Sequence, residues 1–375
     1  MILNYMKTLF VLPLFFILAC SSDDDANGGD TPLTTKDLVL EELLDGLQNP
    51  WGLCGIDEDR IMFTERPGKI WIYNLSDGTK KEVSGGPDVI ASGQGGLLDV
   101  ATHPDFESNG YVYFSYTAGR STGFNTAVGR GVLQGDQLVN FEELFHAQPR
   151  TTAGVHFGSR MVFDDQGYLY VSVGDRGNPN WAQDSSNHAG KLLRLNDDGT
   201  APSSNPFYNQ SGYAPEIFTM GNRNIQGMDI HPVSREIYTH EHGPQGGDEI
   251  NRMQAGLNYG WPIVTHGINY DGTTITSDTT KDGYEDPIHH WTPSVAPCGM
   301  AFIQPPFTMP NGENLIVGTL AAQHLKGVRL EGNRVYETHR YFEGAGRFRD
   351  ILFFNNRCFI VAESPGKLYE LKEVK

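Results

Sequence analysis

The chain has 375 residues and a formal net charge of −18, from 46 acidic against 28 basic residues. No basic run is interleaved with aromatics, which argues against a nucleic-acid surface, and the acidic balance serves solubility. With 44 Gly, 21 Pro, 16 Tyr and 20 Phe, the composition favours many short strands and turns over helices.

In chain order, the first element is a targeting segment. Lys7 precedes an apolar run from Leu9 to Ala19, too short to span a bilayer. The run ends Ile17-Leu18-Ala19-Cys20 and resembles a bacterial lipobox, which implies cleavage before Cys20 and lipidation of its thiol. Residues 1–19 are therefore read as a signal peptide. Residues 20–36, in which Cys20 is followed by S-S-D-D-D-A-N-G-G-D, read as a flexible tether, and 37–375 as the folded domain. The expected location is the periplasmic face or outer surface of a Gram-negative bacterium, with the membrane met only through the lipid on Cys20.

One theme then recurs: an apolar strand, a polar turn, and an aromatic-rich strand. The copies are Trp51 to Glu58 with Arg60 to Glu65, Leu98 to Asp105 with Tyr111 to Tyr116, and Arg160 to Phe163 with Tyr168 to Val173. They continue with Met228 to Pro232 and Glu236 to His240, Met300 to Gln304 and Asn314 to Thr319, and Asp350 to Phe354 with Cys358 to Ala362. Lys69 to Asn74, Lys191 to Asn196 and Gly366 to Leu371 supply further strands, and Asp37 to Leu47 a strand that closes a ring. Each unit buries too little alone, so the pattern predicts an all-β, six-bladed β-propeller. A pair of β-sandwiches explains the alternation but not six related hairpins. Cys54, Cys298 and Cys358 are odd in number and lack C-x-x-C spacing, so they read as small buried hydrophobes.

The third hairpin carries the chemistry. His156 lies in a glycine-flanked loop at its start, and its second strand returns to the same rim and delivers Asp175. A carboxylate placed so fixes an imidazole in one tautomer and makes it more basic. The repeat brings other loops to that rim: Gln94 before the second hairpin, Asn222-Arg223-Asn224 before the fourth, His240 to Glu249 after it, and Arg347 and Arg349 before the sixth. A base, three arginines, amides and glycine-rich carbonyls suit a planar polycarboxylate with a hard cation on carbonyl oxygen. His240 and His242 share a strand face, but no third ligand has a zinc spacing. The loop-like G-P-Q-G-G-D-E-I favours Ca²⁺.

Five segments, G-Q-G-G-L-L-D-V-A-T-H-P-D-F, G-K-L-L-R-L-N-D-D-G, G-N-R-N-I-Q-G, E-H-G-P-Q-G-G-D-E-I-N and G-L-N-Y-G-W-P, resemble the glucose/sorbosone dehydrogenase family, which includes soluble PQQ-dependent aldose sugar dehydrogenases. The likeness runs from about Gly46 onward in the family's order, and it implies the same six-bladed propeller. It implies His156 as general base and Asp175 as its orienting carboxylate. Gln94, Arg223, Asn224, Arg347 and Arg349 resemble PQQ contacts, with Asn180 near an amide position and Trp291 as a stacking residue. The carbonyls of Gly243 and Pro244 resemble ligands of the PQQ-bound Ca²⁺, and Glu249 with the Tyr259 carbonyl part of a second, structural Ca²⁺ site. Two departures, Ala321 at the place of a family lysine and Val155 where glucose-specific members carry an acid, point to the broader aldose branch. The implied reaction oxidises the anomeric hydroxyl of an aldose to a lactone, with electrons passed on to an external acceptor. The alternatives are a non-redox propeller displaying a carbohydrate or protein ligand, and a propeller lactonase, whose ring of metal-binding carboxylates the sequence does not assemble.

Overall fold

The computed structural model describes residues 33–35 and 37–374, so Cys20, the signal peptide and most of the tether lie outside the described residues. Six antiparallel sheets stand around one axis as the blades of a β-propeller. Blades are numbered from Pro50. Their innermost strands are Pro50–Asp57, Leu97–Thr102, Met161–Phe163, Ile225–Ile230, Pro297–Phe302 and Arg347–Phe354. Each blade runs outward through successive strands of the sequence, but blade 6 does not end there. Its third strand, Lys367–Glu373, pairs antiparallel with Leu38–Leu44 from the start of the described chain.

The alternation of strand residues explains the stacking. In the second strand of blade 1, Ile61 and Phe63 enter the cluster shared with blade 6, while Met62 enters the one shared with blade 2. Both faces of the strand are thus buried, and all three side chains are fully covered. Each further pair of neighbouring blades shares a comparable apolar cluster. Burying one such side chain contributes about 1.5–3 kcal/mol, so blades hold each other rather than themselves. Cys54, Cys298 and Cys358 are free and buried, as their apolar surroundings predict.

Polar groups tie the ring on its inner side. Asp99, Asp229 and Asp350 occupy alternate blades, and each accepts a backbone N–H from the next inner strand: Met161 at 2.8 Å, Phe302 at 2.7 Å and Leu53 at 2.8 Å. Arg160 crosses the axis, 2.8 Å from Asp350 and 3.5 Å from Asp99, and donates to the Gln226 carbonyl at 2.7 Å. Burial pushes the Asp99 carboxyl up to about 7 against the pull of Arg160.

The expected hairpins all form, with boundaries displaced by a few residues. The sequence pattern missed the two outer strands of blade 2, Gly123–Gln134 and Gln137–His146. The glycines of the first dilute the apolar alternation. The structure gives one a reason: a Cβ on Gly129 would lie 2.7 Å from the Phe141 ring, which packs over the bare backbone.

Candidate active site

Blade 3 builds the base. Its first hairpin turns at Asp164, whose Oδ1 accepts the amides of Gln166 and Tyr168 at 3.0 and 2.9 Å. The returning strand, Leu169–Val173, brings Asp175 to the loop that carries His156. Nδ1 of His156 lies 2.6 Å from Oδ1 of Asp175. An ionised carboxylate only accepts, so the shared proton belongs on Nδ1 and Nε2 is the basic nitrogen.

Asp175 is 1% exposed in its side chain and is held on both oxygens. Oδ1 also accepts the Gly177 amide at 2.8 Å, and Oδ2 accepts the indole N–H of Trp261 at 2.8 Å. Burial alone would raise this carboxyl, but the His156 hydrogen bond and charge, the Gly177 amide and Arg223 outweigh it and hold it below the usual carboxylate range. Trp261 was not singled out from the sequence, although it sits inside G-L-N-Y-G-W-P.

The backbone of His156 is held as firmly as its ring. Its φ is +53°, and its N–H donates to Oε1 of Gln94 at 2.8 Å. The Gln94 amide donates in turn to the Gly154 carbonyl at 2.8 Å. This needs a glycine before Gln94: a Cβ on Gly93 would stand 2.2 Å from that carbonyl. Gln94 therefore braces the base, a role beyond the ligand contact expected of it.

A cavity of about 280 Å³ opens beside this loop, lined by Gln94, Asn224, Arg347 and Arg349 of the expected set and by Phe157 and Gly158, which follow His156. Glu363 fixes the two arginines. Its Oε1 accepts Nε of Arg347 at 2.7 Å and its Oε2 accepts Nε of Arg349 at 2.9 Å, with a further contact from Arg349 Nη2. Arg349 also donates to Gln226 at 3.1 Å, and Arg66 and Trp51 complete the wall. Three arginines against one carboxylate leave this wall cationic. Glu363 and Arg66 carried no sequence signal.

Three expected residues stand elsewhere. Asn180 is exposed on the short 3₁₀ turn Pro179–Gln183 and does not line the cavity. Trp291 ends the outer strand of blade 4 and is buried in the cluster between blades 4 and 5, with Lys326 5.7 Å from its ring. Its apolar neighbours account for it. Arg223 turns its guanidinium away from the cavity and donates to the carbonyls of His242 and Gly243 at 3.0 and 2.9 Å. Ala321 is exposed, and the Leu320 carbonyl before it accepts Arg347 at 3.1 Å.

Those carbonyls border a smaller hollow that also contains Glu241, Gly247, Glu249, Tyr259 and Thr265. Glu249 is in strand Asp248–Met253, not in a loop as G-P-Q-G-G-D-E-I suggested. Glycines at 246 and 247 masked a strand start. Pro244 lies outside the hollow's lining. Glu241 accepts Asn222 at 3.1 Å and the Asn224 amide at 3.1 Å, while burial and the neighbouring Glu241 charge push Glu249 well above the carboxylate range. No cluster of three His, Cys, Asp or Glu side chains is placed to hold a metal among the described residues. His240 and His242 instead donate to the Gly299 and Pro297 carbonyls at 3.3 and 2.8 Å, lacing blade 4 to blade 5 from one strand face.

A larger cavity of about 520 Å³ lies at the other end of the inner strands, past Arg160, and none of the expected site residues lines it.

A family model described as "Glucose / Sorbosone dehydrogenase" matches residues 47–370. The aldose sugar dehydrogenase YliI of Escherichia coli is 39% identical over 319 residues, covering 83% of this chain and 86% of that one. The crystal structure of the soluble aldose sugar dehydrogenase from Escherichia coli in its apo-form superposes with a TM-score of 0.85 at 36% identity, covering 90% of this chain and 99% of that one. The PQQ-bound aldose sugar dehydrogenase of Streptomyces coelicolor superposes with a TM-score of 0.76 at 25% identity, covering 92% of this chain and all of that one (100%).

Proposed function

The chain belongs to the glucose/sorbosone dehydrogenase family, and on that premise we propose that it is a PQQ-dependent aldose sugar dehydrogenase that oxidises the anomeric hydroxyl to a lactone. The observation that carries the reading is the half-buried His156 held by the buried Asp175 beside a cavity walled by arginines. Nothing in a passive binding face calls for a base held on its ring, its backbone and its carboxylate at once.

The residues fit the cofactor's chemistry. PQQ is a flat tricarboxylate, and Arg66, Arg347 and Arg349 outnumber the one carboxylate, Glu363, in the cavity wall. Charge-assisted contacts of guanidinium with carboxylate are strong and planar. Gln94 and Asn224 add amide groups at the same wall. When bound, PQQ supplies the quinone that accepts the hydride leaving the anomeric carbon. Nε2 of His156 takes the hydroxyl proton, and Asp175, held ionised, stabilises the imidazolium that results. An external acceptor would take the electrons onward.

A hard cation fits the neighbouring hollow. Gly243, Glu249 and Tyr259 line one small hollow, and among the described residues Asn251 is the partner of the Glu249 carboxylate, at 3.2 Å. Oxygen ligands of this kind suit Ca²⁺. Export and lipid anchoring at Cys20 complete the proposal.

The test is spectral. Apo-protein is mixed with PQQ and Ca²⁺, its absorption recorded, and an aldose added. Bleaching of the quinone band on addition of sugar supports the reading, whereas bound PQQ that no aldose reduces rejects it.

A further inference from the structure

Asp175 is followed by a second buried charge. Arg176 is 1% exposed, and it is the largest fully buried side chain among the described residues. Its hydrogen bonds all go to backbone carbonyls: Val155, Ala153 at 2.5 Å and Phe124 at 3.5 Å. The guanidinium lies 3.6 Å from the centroid of the Phe157 ring. Among the described residues no carboxylate pairs directly with this guanidinium, which is costly to bury, and although the Asp175 charge favours it, burial pushes it down to about 10. Nε is buried without a partner. A side chain that served packing alone would be met more cheaply by Leu or Met.

We propose that Arg176 is a positioning residue for the base: it holds the backbone carbonyls of Ala153 and Val155 ahead of His156 and stacks on the Phe157 ring after it, while Asp175 holds the imidazole. The contacts fall at Ala153 and Val155 before the imidazole and at Phe157 after it. The left-handed φ of +57° at Arg176 turns its side chain under the loop directly after Asp175. His156, itself at φ +53°, is thus gripped by two consecutive residues of one strand end. Only a planar fork reaches several carbonyls at once while stacking on a ring. The function of that grip is to keep Nδ1 within hydrogen-bond reach of Asp175, because a displacement near 1 Å at such a group costs ~100-fold in rate. The inference rests on the proposed role of His156, and its test separates the two.

The experiment compares Arg176→Met and Arg176→Lys with wild type in the full mature chain. One readout is the downfield proton resonance of the short Nδ1–H···Oδ1 bond in protein with ¹⁵N-labelled histidine. The others are kcat, KM for an aldose, and PQQ affinity. Expected for Arg176→Met are loss of the resonance and a kcat lower by ~10–100-fold, with KM and PQQ affinity within about twofold. Arg176→Lys should show a broadened resonance and about tenfold lower kcat, because one ammonium cannot reach all three carbonyls. Should Arg176→Met fail to fold, Arg176→Lys carries the test, and a wild-type resonance and kcat in that variant overturn the proposal. A parallel fall in kcat and PQQ affinity also overturns it, since that marks general loosening of the site. If wild type oxidises no aldose, the dehydrogenase reading falls, yet loss of the resonance in the variants still upholds the positioning role.

Discussion

Trp261 donates its indole N–H to Oδ2 of Asp175 at 2.8 Å, from a loop 86 residues further along the chain. The bond reaches from blade 4 to the carboxylate that blade 3 presents to its base. Trp261→Phe keeps an aromatic ring but removes this donor together with the pyrrole half of the indole. A hydrogen bond to a charged group contributes about 1.5–3 kcal/mol, so kcat for aldose oxidation should fall by roughly tenfold or more while PQQ affinity holds. An unchanged kcat would show that Asp175 needs no help on that oxygen.

Removing the base separates chemistry from binding. His156→Ala should lose about 10²–10⁴-fold in rate at saturating PQQ, with the PQQ titration little changed. Asp175→Asn should cost less in rate but also cost stability, because both its oxygens accept and an amide nitrogen cannot. The folded-state pKa of Asp175 lies below its ordinary value. Its contribution is therefore complete above the ordinary carboxylate range, about pH 4, and disappears as pH falls through the lower folded value. The melting-temperature gap between wild type and Asp175→Asn should stay constant from neutral pH to about 5 and narrow below about 4. A gap that widens on acidification contradicts the assignment.

Arg347 and Arg349 share Glu363 but not their surroundings. The Arg347 side chain is 39% exposed and that of Arg349 is 11% exposed. Arg347→Ala should weaken PQQ binding with little change in melting temperature. Arg349→Ala should weaken PQQ binding and also cost about 3 kcal/mol of stability, since it removes one partner of a buried ion pair. Titration calorimetry beside thermal melts distinguishes the two, and equal melts for both variants would refute the distinction.

Glu249 gives the cation proposal a direct handle. Ca²⁺ added to chelator-treated protein should raise the melting temperature of wild type, because ligand binding to the native state stabilises it. Glu249→Gln should lose most of that rise. If the variant responds to Ca²⁺ as wild type does, the cation sits elsewhere.

For the anchor, cell fractionation of Cys20→Ala is decisive. The variant should leave the membrane fraction, and its retention there would refute lipidation at Cys20.

Much of the architecture was legible because each inner hairpin buries both faces of its strands, so apolar alternation and polar turns mark every blade. Glycine-marked strands were not: glycines inside Gly123–Gln134 dilute its pattern, and Gly246 and Gly247 just ahead of Asp248–Met253 hide where that strand begins. Within the site, His156, Asp175, Gln94, Arg347 and Arg349 could be placed because hairpin ends converge at one rim. Trp291 and Asn180 could not, since a side chain's direction depends on local backbone that spacing does not report. Trp261 meets Asp175 only through a contact between distant segments, whereas Glu363 reaches Arg347 and Arg349 across its own hairpin. Arg223 shows the subtlest case, a residue in the right neighbourhood whose guanidinium serves carbonyls of the neighbouring loop.

The last blade has a consequence for how the molecule is made. Lys367 reaches Glu42 at 2.5 Å across 325 positions of chain. During synthesis the strand at Leu38–Leu44 emerges long before Lys367–Glu373 and waits, edge exposed, for that partner. Loop closure over such a span is slow relative to local hairpins. An exported chain would then meet its folding helpers as an open necklace of blades, and a truncation of only the final strand would leave every residue of the active site present but the clasp undone.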